Sequence, residues 1–389
     1  MSGFAAGLSE HPDAATAVGE VIGQVIDKLA GDDGTVGDAP DLALLFVTPH
    51  HLDAFSDVAA AVRATLEPRT LLGCAAVAVV GGGREVERAP AVSLWAGRTG
   101  PLRPFHLTVA ATPDGQSFTG WPDEIPADAS ALLLLADPFT FPADALLQRL
   151  GQDRPGLPIV GGLASAAQRP GGNRLVVDDR IVTHGAVGAF LGAQVKASAV
   201  VSQGCRPVGS PFVVTRAEGN VVYELAGRPA LDRLQEVAGT LSEDDRQLMA
   251  ELVQLGRVID ERKSEFGRGD FLVRNVVGAD PDTGALAVGD LVEVGSTAQF
   301  QVRDARSADE DLRQLVSGHS ADGALLFTCN GRGMRLFGTA DHDARIVSES
   351  LEGAPVAGMF CAGELGPIGG HNFLHGFTAS VVLLSVDDA

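Results

Sequence analysis

Three stretches of the chain are apolar at every position and then break into a small polar loop: "LALLFVTP" at 42–49, "ALLLLADP" at 131–138 and "GALLFTCN" at 323–330. Strands with one wet face alternate between apolar and polar residues; runs without alternation predict strands covered on both faces. Each run leads into a stretch with apolar residues three and four apart, as in "FSDVAAAVRATLE" and "PADALLQRLG", which is helical spacing. A glycine-bearing apolar strand comes next ("TLLGCAAVAVV", "LPIVGGLAS", "APVAGMFCAGELG"), and the unit closes on "AVSLWAG", "GAVGAFLGA" or "FTASVVLLSV". The order strand, helix, strand, loop, strand therefore repeats along the chain.

A weaker fourth copy is expected from "NVVYELAGRPALDRLQEVAG" (220–239) into the β-rich "FLVRNVVGADPDTGALAVGDLVEVGSTAQFQV", where "DPDTG" and "VGD" are turn signals. The charged segment 240–268 reads as a helical insertion with a solvated face. The expectation is an α/β chain of the mixed α+β kind. Repeated strand-helix-strand-strand units form layered β-sheets covered by helices in two similar domains, residues 1–215 and 216–389, with two units in each.

With 50 acidic and 29 basic side chains the formal charge is −21, a field that repels phosphate backbones and anionic membranes. No basic segment followed by an apolar stretch opens the chain, and no run of about 18 apolar residues follows. The four cysteines lie far apart without paired spacing, the pattern of reduced thiols rather than of a disulfide framework. These features predict a cytoplasmic protein that binds neither nucleic acid nor membrane.

The polar loops that end the strands are the places for chemistry, because α/β proteins bind ligands at strand C-termini. Two carry the richest side chains: "TCNGRG" (328–333) and "CAGELGPIGGHNFLHG" (361–376). Arg332 offers a forked donor to a carboxylate or phosphate, and the N–H groups of Gly331 and Gly333 can turn toward the same anion. Glu364, between Gly363 and Gly366, can accept from an ammonium group, with Asn372 and His371 fixing the rest of a small ligand. Cys329, Asn330 and Cys361 complete the expected ligand-binding set. In an empty site Arg332 and Glu364 are expected to pair with each other.

Two other readings of these loops stay open. Cys361 or Cys329 could act as a nucleophile with His371 as its base. The cysteines could join His371 and His375 on zinc, but "NFLHGFTASVVLL" reads as extended from Asn372. Two histidines four apart on a strand are separated by roughly 13 Å, so no metal and no cofactor is expected. "GGG" at 81–83 lacks the strand-to-helix setting of a nucleotide loop and reads as a turn.

These motifs resemble the FIST-domain family, which has paired N- and C-terminal FIST regions. "LALLFVTPHH", "LLGCAAVAVVGGG", "GLPIVGGLAS", "GAVGAFL" and "VSQGCRPVGSPFVVTRAEGNVVYEL" carry the N-terminal part; "FLVRNVVGADPDTGALAVGDLVEVG", "ALLFTCNGRG" and "GMFCAGELGPIGGHNFLHGFTASVVLL" carry the C-terminal part. The resemblance implies a sensory module that binds small ligands such as amino acids. It supplies no catalytic residues. The FIST parts fill this chain, so the expected output runs through a signalling partner in trans or through self-association into a homo-oligomer. An enzyme using a cysteine and a protein-binding adaptor are the alternatives from other classes.

Overall fold

The repeat is explicit in the strand pairing. In the computed structural model, which describes residues 3–30, 39–112 and 115–386, the chain divides into two compact units: 1–201 with 312–389, and 202–311.

The first unit holds three copies of one motif. The first copy runs β1 (Phe4–Ser9), α1 (Ala14–Leu29), β2 (Leu42–Val47), α2 (Phe55–Leu66), β3 (Thr70–Ala75), the hairpin β4 (Ala78–Gly81) and β5 (Arg84–Glu87), and β6 (Val92–Gly97). The second runs β7 (Pro104–Thr112), β8 (Gly115–Thr119), β9 (Ala131–Ala136), α3 (Ala143–Asp153), β10 (Ile159–Leu163), the hairpin β11 (Leu175–Val177) and β12 (Arg180–Val182), and β13 (Ala186–Leu191). The third opens with β14 (Val195–Gln203) and is interrupted by the second unit.

That second unit contains β15 (Cys205–Pro207), β16 (Phe212–Glu218), β17 (Val221–Leu225), β18 (Arg228–Pro229), α4 (Ala230–Thr240), α5 (Glu243–Glu251), β19 (Gln254–Val258), β20 (Phe271–Asp280), β21 (Ala285–Val288) and β22 (Thr297–Arg303). The third copy then resumes with α6 (Ala305–Val316), β23 (Gly323–Cys329), α7 (Met334–Phe337), α8 (His342–Ser350), β24 (Val356–Cys361), the hairpin β25 (Glu364–Ile368) and β26 (His371–His375), and β27 (Thr378–Val386).

In each copy one fully buried strand lies between a parallel and an antiparallel neighbour: β2 between β3 and β6, β9 between β10 and β13, β23 between β24 and β27. The hairpins are exchanged in a ring. Hairpin β4–β5 of the first copy pairs with β24 of the third, β11–β12 of the second pairs with β3 of the first, and β25–β26 of the third pairs with β10 of the second. Each copy thus completes another copy's sheet, and the first copy is tied to the third through the swapped β4–β5 hairpin.

The recurring glycine has a steric cause. Gly73, Gly161 and Gly358 face Leu45, Leu134 and Leu326 in the parallel registers. A Cβ on any of them would stand 2.1, 2.0 or 1.8 Å from that leucine's carbonyl oxygen. No side chain fits there.

Burial on both faces explains the continuous apolar runs. Leu44, Phe46, Leu133, Leu135, Leu325 and Phe327 share one core between the three sheets. The residues between them point the other way, onto helices: Leu45 onto α1 and α2, Leu134 onto α3, Leu326 onto α6 and α8.

The expected fourth copy does not form. In the second unit β22 pairs with both β16 and β19, so the antiparallel path β22-β16-β17-β21-β20-β19 closes into a barrel around Val222, Leu286 and Phe300. The 215/216 boundary falls inside β16. Helix in the segment 240–268 stops at Glu251, and β19 follows; the alternating "QLGRV" belongs to the barrel wall. "GGG" at 81–83 makes the β4–β5 turn, with Gly82 and Gly83 at φ 56° and 79°.

Candidate functional site

The three copies end the buried strands β2, β9 and β23 in the same way. Three residues beyond Leu45, Leu134 and Leu326 stand Thr48, Asp137 and Cys329. The carbonyl of each accepts the N–H of the residue three further on: His51 (3.0 Å), Thr140 (3.4 Å) and Arg332 (2.8 Å). The same backbone hydrogen bond therefore joins three different side-chain pairs, and the third is the one with a buried arginine.

Arg332 is fully buried. Its Nε and Nη2 donate to the two oxygens of Asp343 on α8, at 2.7 and 2.9 Å, a bidentate pair with no exposure on either side. Thr328 Oγ1 adds a 2.7 Å bond to Asp343, and His342 Nδ1 lies 2.9 Å from it. Burial works against Asp343's charge, but the Arg332 guanidinium and these bonds outweigh it and hold the carboxyl well below its ordinary range. The same pairing raises Arg332 against the cost of its burial. The expected Arg332–Glu364 pair is therefore replaced by Arg332–Asp343. A buried guanidinium needs a carboxylate close by, and α8 delivers one with matching fork geometry.

Glu364, also fully buried, begins the swapped strand β25, opposite Gly162 of β10 and His375 of β26. Its Oε2 accepts the Thr378 hydroxyl at 2.8 Å and the Thr378 N–H at 3.3 Å. Its Oε1 accepts from no nitrogen or oxygen among the described residues. Burial pushes its pKa up to about 8, against the pull of Thr378, the Arg332 charge and the Cys329 thiol. Arg332 keeps a donor in reserve: Nη1 reaches one long contact, 3.5 Å, to the Phe377 carbonyl.

A second buried carboxylate comes from the other swapped hairpin. Glu85 of β5 accepts the Ala344 N–H at 2.9 Å through Oε1, at the start of α8, while its Oε2 has no partner among the described residues. Burial, then the charge of Asp343, push it up to about 8. Two orphaned carboxylate oxygens thus flank one arginine–aspartate pair.

The cover over these groups is thin. Helix α7 is a single turn with Met334 and Arg335 exposed, and its Phe337 ring stacks on His342 at 3.4 Å and lies 5.2 Å from the Arg332 guanidinium carbon. Phe377 sits at φ 63°, a left-handed conformation rare for an aromatic residue, with its ring against Gly331.

The expected ligand set is only partly gathered. Cys329, Arg332, Cys361, Gly363 and Glu364 are buried together at the ends of β23, β24 and β25, with Asn330 exposed at the rim. Gly331 spends its N–H on Cys329 Sγ at 3.4 Å, and a Cβ on Gly333 would lie 2.5 Å from Glu87 Oε1, so both glycines serve packing. His371 is exposed at the far end of the hairpin, four residue pairs from Glu364 in the β25–β26 register. Asn372 bridges the Ile159 N–H and the Leu157 carbonyl instead of facing the site. Asp343, Glu85 and Thr378 were not expected. A buried arginine signals that some carboxylate must meet it, but only the strand exchange shows which.

All four cysteines are buried thiols outside any disulfide. Burial pushes the Cys329 thiol up to about 12 and the Cys361 thiol well above its ordinary value, helped in each case by the Glu364 charge. Both are protonated and poorly nucleophilic at neutral pH. Among the described residues no cluster of three or more His, Cys, Asp or Glu stands ready for a metal ion, and no helix is long and apolar enough to cross a membrane.

Comparison with known proteins divides the chain differently from its compact units. The FIST N domain model matches residues 41–228 and the FIST C domain model matches 230–367. The boundary between them falls within the barrel unit, just ahead of α4. An uncharacterized protein of Mycobacterium tuberculosis strain H37Rv is 46% identical over 383 residues, covering 97% of this chain and 98% of its own length. An uncharacterized protein of Mycobacterium bovis is 46% identical over 389 residues, covering 98% of each.

Proposed function

Because the chain belongs to the FIST family, a family of sensory and ligand-binding domains, we propose that it senses an amino acid or a similar small zwitterion at the turn after β23. The single observation that carries this reading is Glu364: a fully buried carboxylate with one oxygen left without a nitrogen or oxygen partner, beside a guanidinium with an underused Nη1. A buried charge is costly unless each face of it is met. An ammonium group at Oε1 and a carboxylate at Nη1 would supply both missing partners. Since both groups are covered, entry requires α7 and Phe377 to move outward, and that displacement is the change a signalling partner would read.

Calorimetric titration with the free amino acids tests this. At least one should bind the wild-type protein, and E364Q, which keeps the shape and the Thr378 bonds, should bind it at least about tenfold more weakly, about 1.4 kcal/mol. Binding to E364Q at wild-type affinity, or no binding by any member of the set, defeats the proposal.

A further inference from the structure

The way Glu364 is held has a consequence for how binding responds to pH. The groups facing its carboxyl are the Cys329 thiol of β23, the Cys361 thiol of β24, the Arg332 guanidinium beyond β23, His375 opposite it on β26, and Thr378 of β27, while β10 brings Gly162. The sole strong cation among them has both its shorter bonds committed to Asp343. Oε2 receives a hydroxyl and a longer N–H bond, and Oε1 has no hydrogen-bond partner among the described residues. Neutral donors on one oxygen and none of nitrogen or oxygen on the other suit a carboxylic acid better than a carboxylate in a dry setting.

We propose that Glu364 holds a proton in the empty site and gives it up to solvent when a ligand ammonium group takes its place at Oε1, so that binding and proton release are one event. This rests on the ammonium reading given above. The balance is simple: the protonated acid and the ligand R–NH₃⁺ become the ion pair of carboxylate and R–NH₃⁺, and one proton leaves for solvent. No bond to carbon changes. Binding then strengthens about tenfold for each pH unit gained below the acid's midpoint and levels off above it. That midpoint is about 8.

The test uses the full-length protein and methylammonium chloride as the minimal ammonium probe. Infrared spectra of the free protein at about pH 6 should show a protonated carboxylic acid band with a component that is missing in E364Q. Methylammonium should reduce that component, and titrations in buffers of different ionisation enthalpy should report about one proton released per probe bound. T378V removes a donor that favours the charged form, so it should move the midpoint upward; this variant serves if E364Q fails to fold. If the acid component is absent, or T378V leaves the midpoint where it was, the proposal is wrong. If methylammonium binds without releasing a proton, the coupling fails and ammonium recognition stands. If the acid component is present but methylammonium neither binds nor alters it, the ammonium reading itself fails and the coupling with it.

Discussion

The turns after β9 and after β23 share one backbone hydrogen bond and differ in their chemistry. In the second copy, buried Asp137 receives Asn173 Nδ2 at 2.9 Å and Thr140 Oγ1 at 2.6 Å, one on each oxygen, and Asn173 Oδ1 in turn accepts the Ala167 N–H at 3.0 Å. Every side-chain oxygen of that lock is used, by short side chains that cannot rearrange far. In the third copy Cys329 stands where Asp137 does and Arg332 where Thr140 does. The acid has moved onto α8 as Asp343, and two further carboxylates arrive on swapped hairpins, each with an open oxygen. One turn is finished by neutral donors from its own copy; the other is left short of donors. A scaffold that repeats can hold its shape with two copies and give the third a different task.

The largest expected effect leaves the comparison untouched and tests the scaffold beneath it. Gly73→Ala, Gly161→Ala and Gly358→Ala should each cost more than about 4 kcal/mol in denaturant unfolding, because each Cβ would fall inside a carbonyl's contact distance. If one of the three is tolerated, the copies are not equivalent at that register.

Next in size is D343N against D137N. D343N leaves the buried Arg332 facing a neutral amide and should cost about 3–5 kcal/mol. D137N keeps an acceptor for one of its two neutral donors and should cost about 1–2 kcal/mol. Equal losses would mean that charge does not distinguish the turns.

The pH dependence follows with a definite sign. Glu364 and Glu85 are both raised on folding, so the folded state binds more protons than the unfolded chain and stability falls as pH rises from the ordinary carboxylate range to about 8. E364Q should remove its share of that loss, on the order of 3 kcal/mol at alkaline pH, in denaturant curves taken across the range. A slope unchanged in E364Q would place the charged form in the resting site. The smallest effect is expected from T140V, about 1 kcal/mol.

Much of the scaffold was legible in the sequence, because short apolar runs such as "ALLLLA" and "GALLF", each ahead of a stretch with helical spacing, read as strands buried on both sides, and the recurring glycine marks a contact that admits no side chain. The loops at residues 328–333 and 361–366 were legible as a polar site for the same reason: glycine and charge follow directly on a buried strand. What was hidden is long-range. Nothing local tells that β4–β5 crosses to the third copy's sheet and brings Glu85 there, or that Arg332 turns to Asp343 rather than to Glu364. The alternation in 212–225 and 254–258 looks the same for a repeat unit as for a barrel wall, which is why a fourth copy was expected where the barrel stands. For His371 and Asn372, nearness in sequence to Glu364 is not nearness in space: a β-hairpin carries them away along its length.

The central claim, that the third turn is a ligand site and the second a structural lock, is tested most directly by amide hydrogen exchange in the presence and absence of an amino acid found to bind. The account predicts added protection across residues 329–337 and 361–366 and none across 136–141. Protection spread equally over both turns, or confined to 136–141, would contradict it.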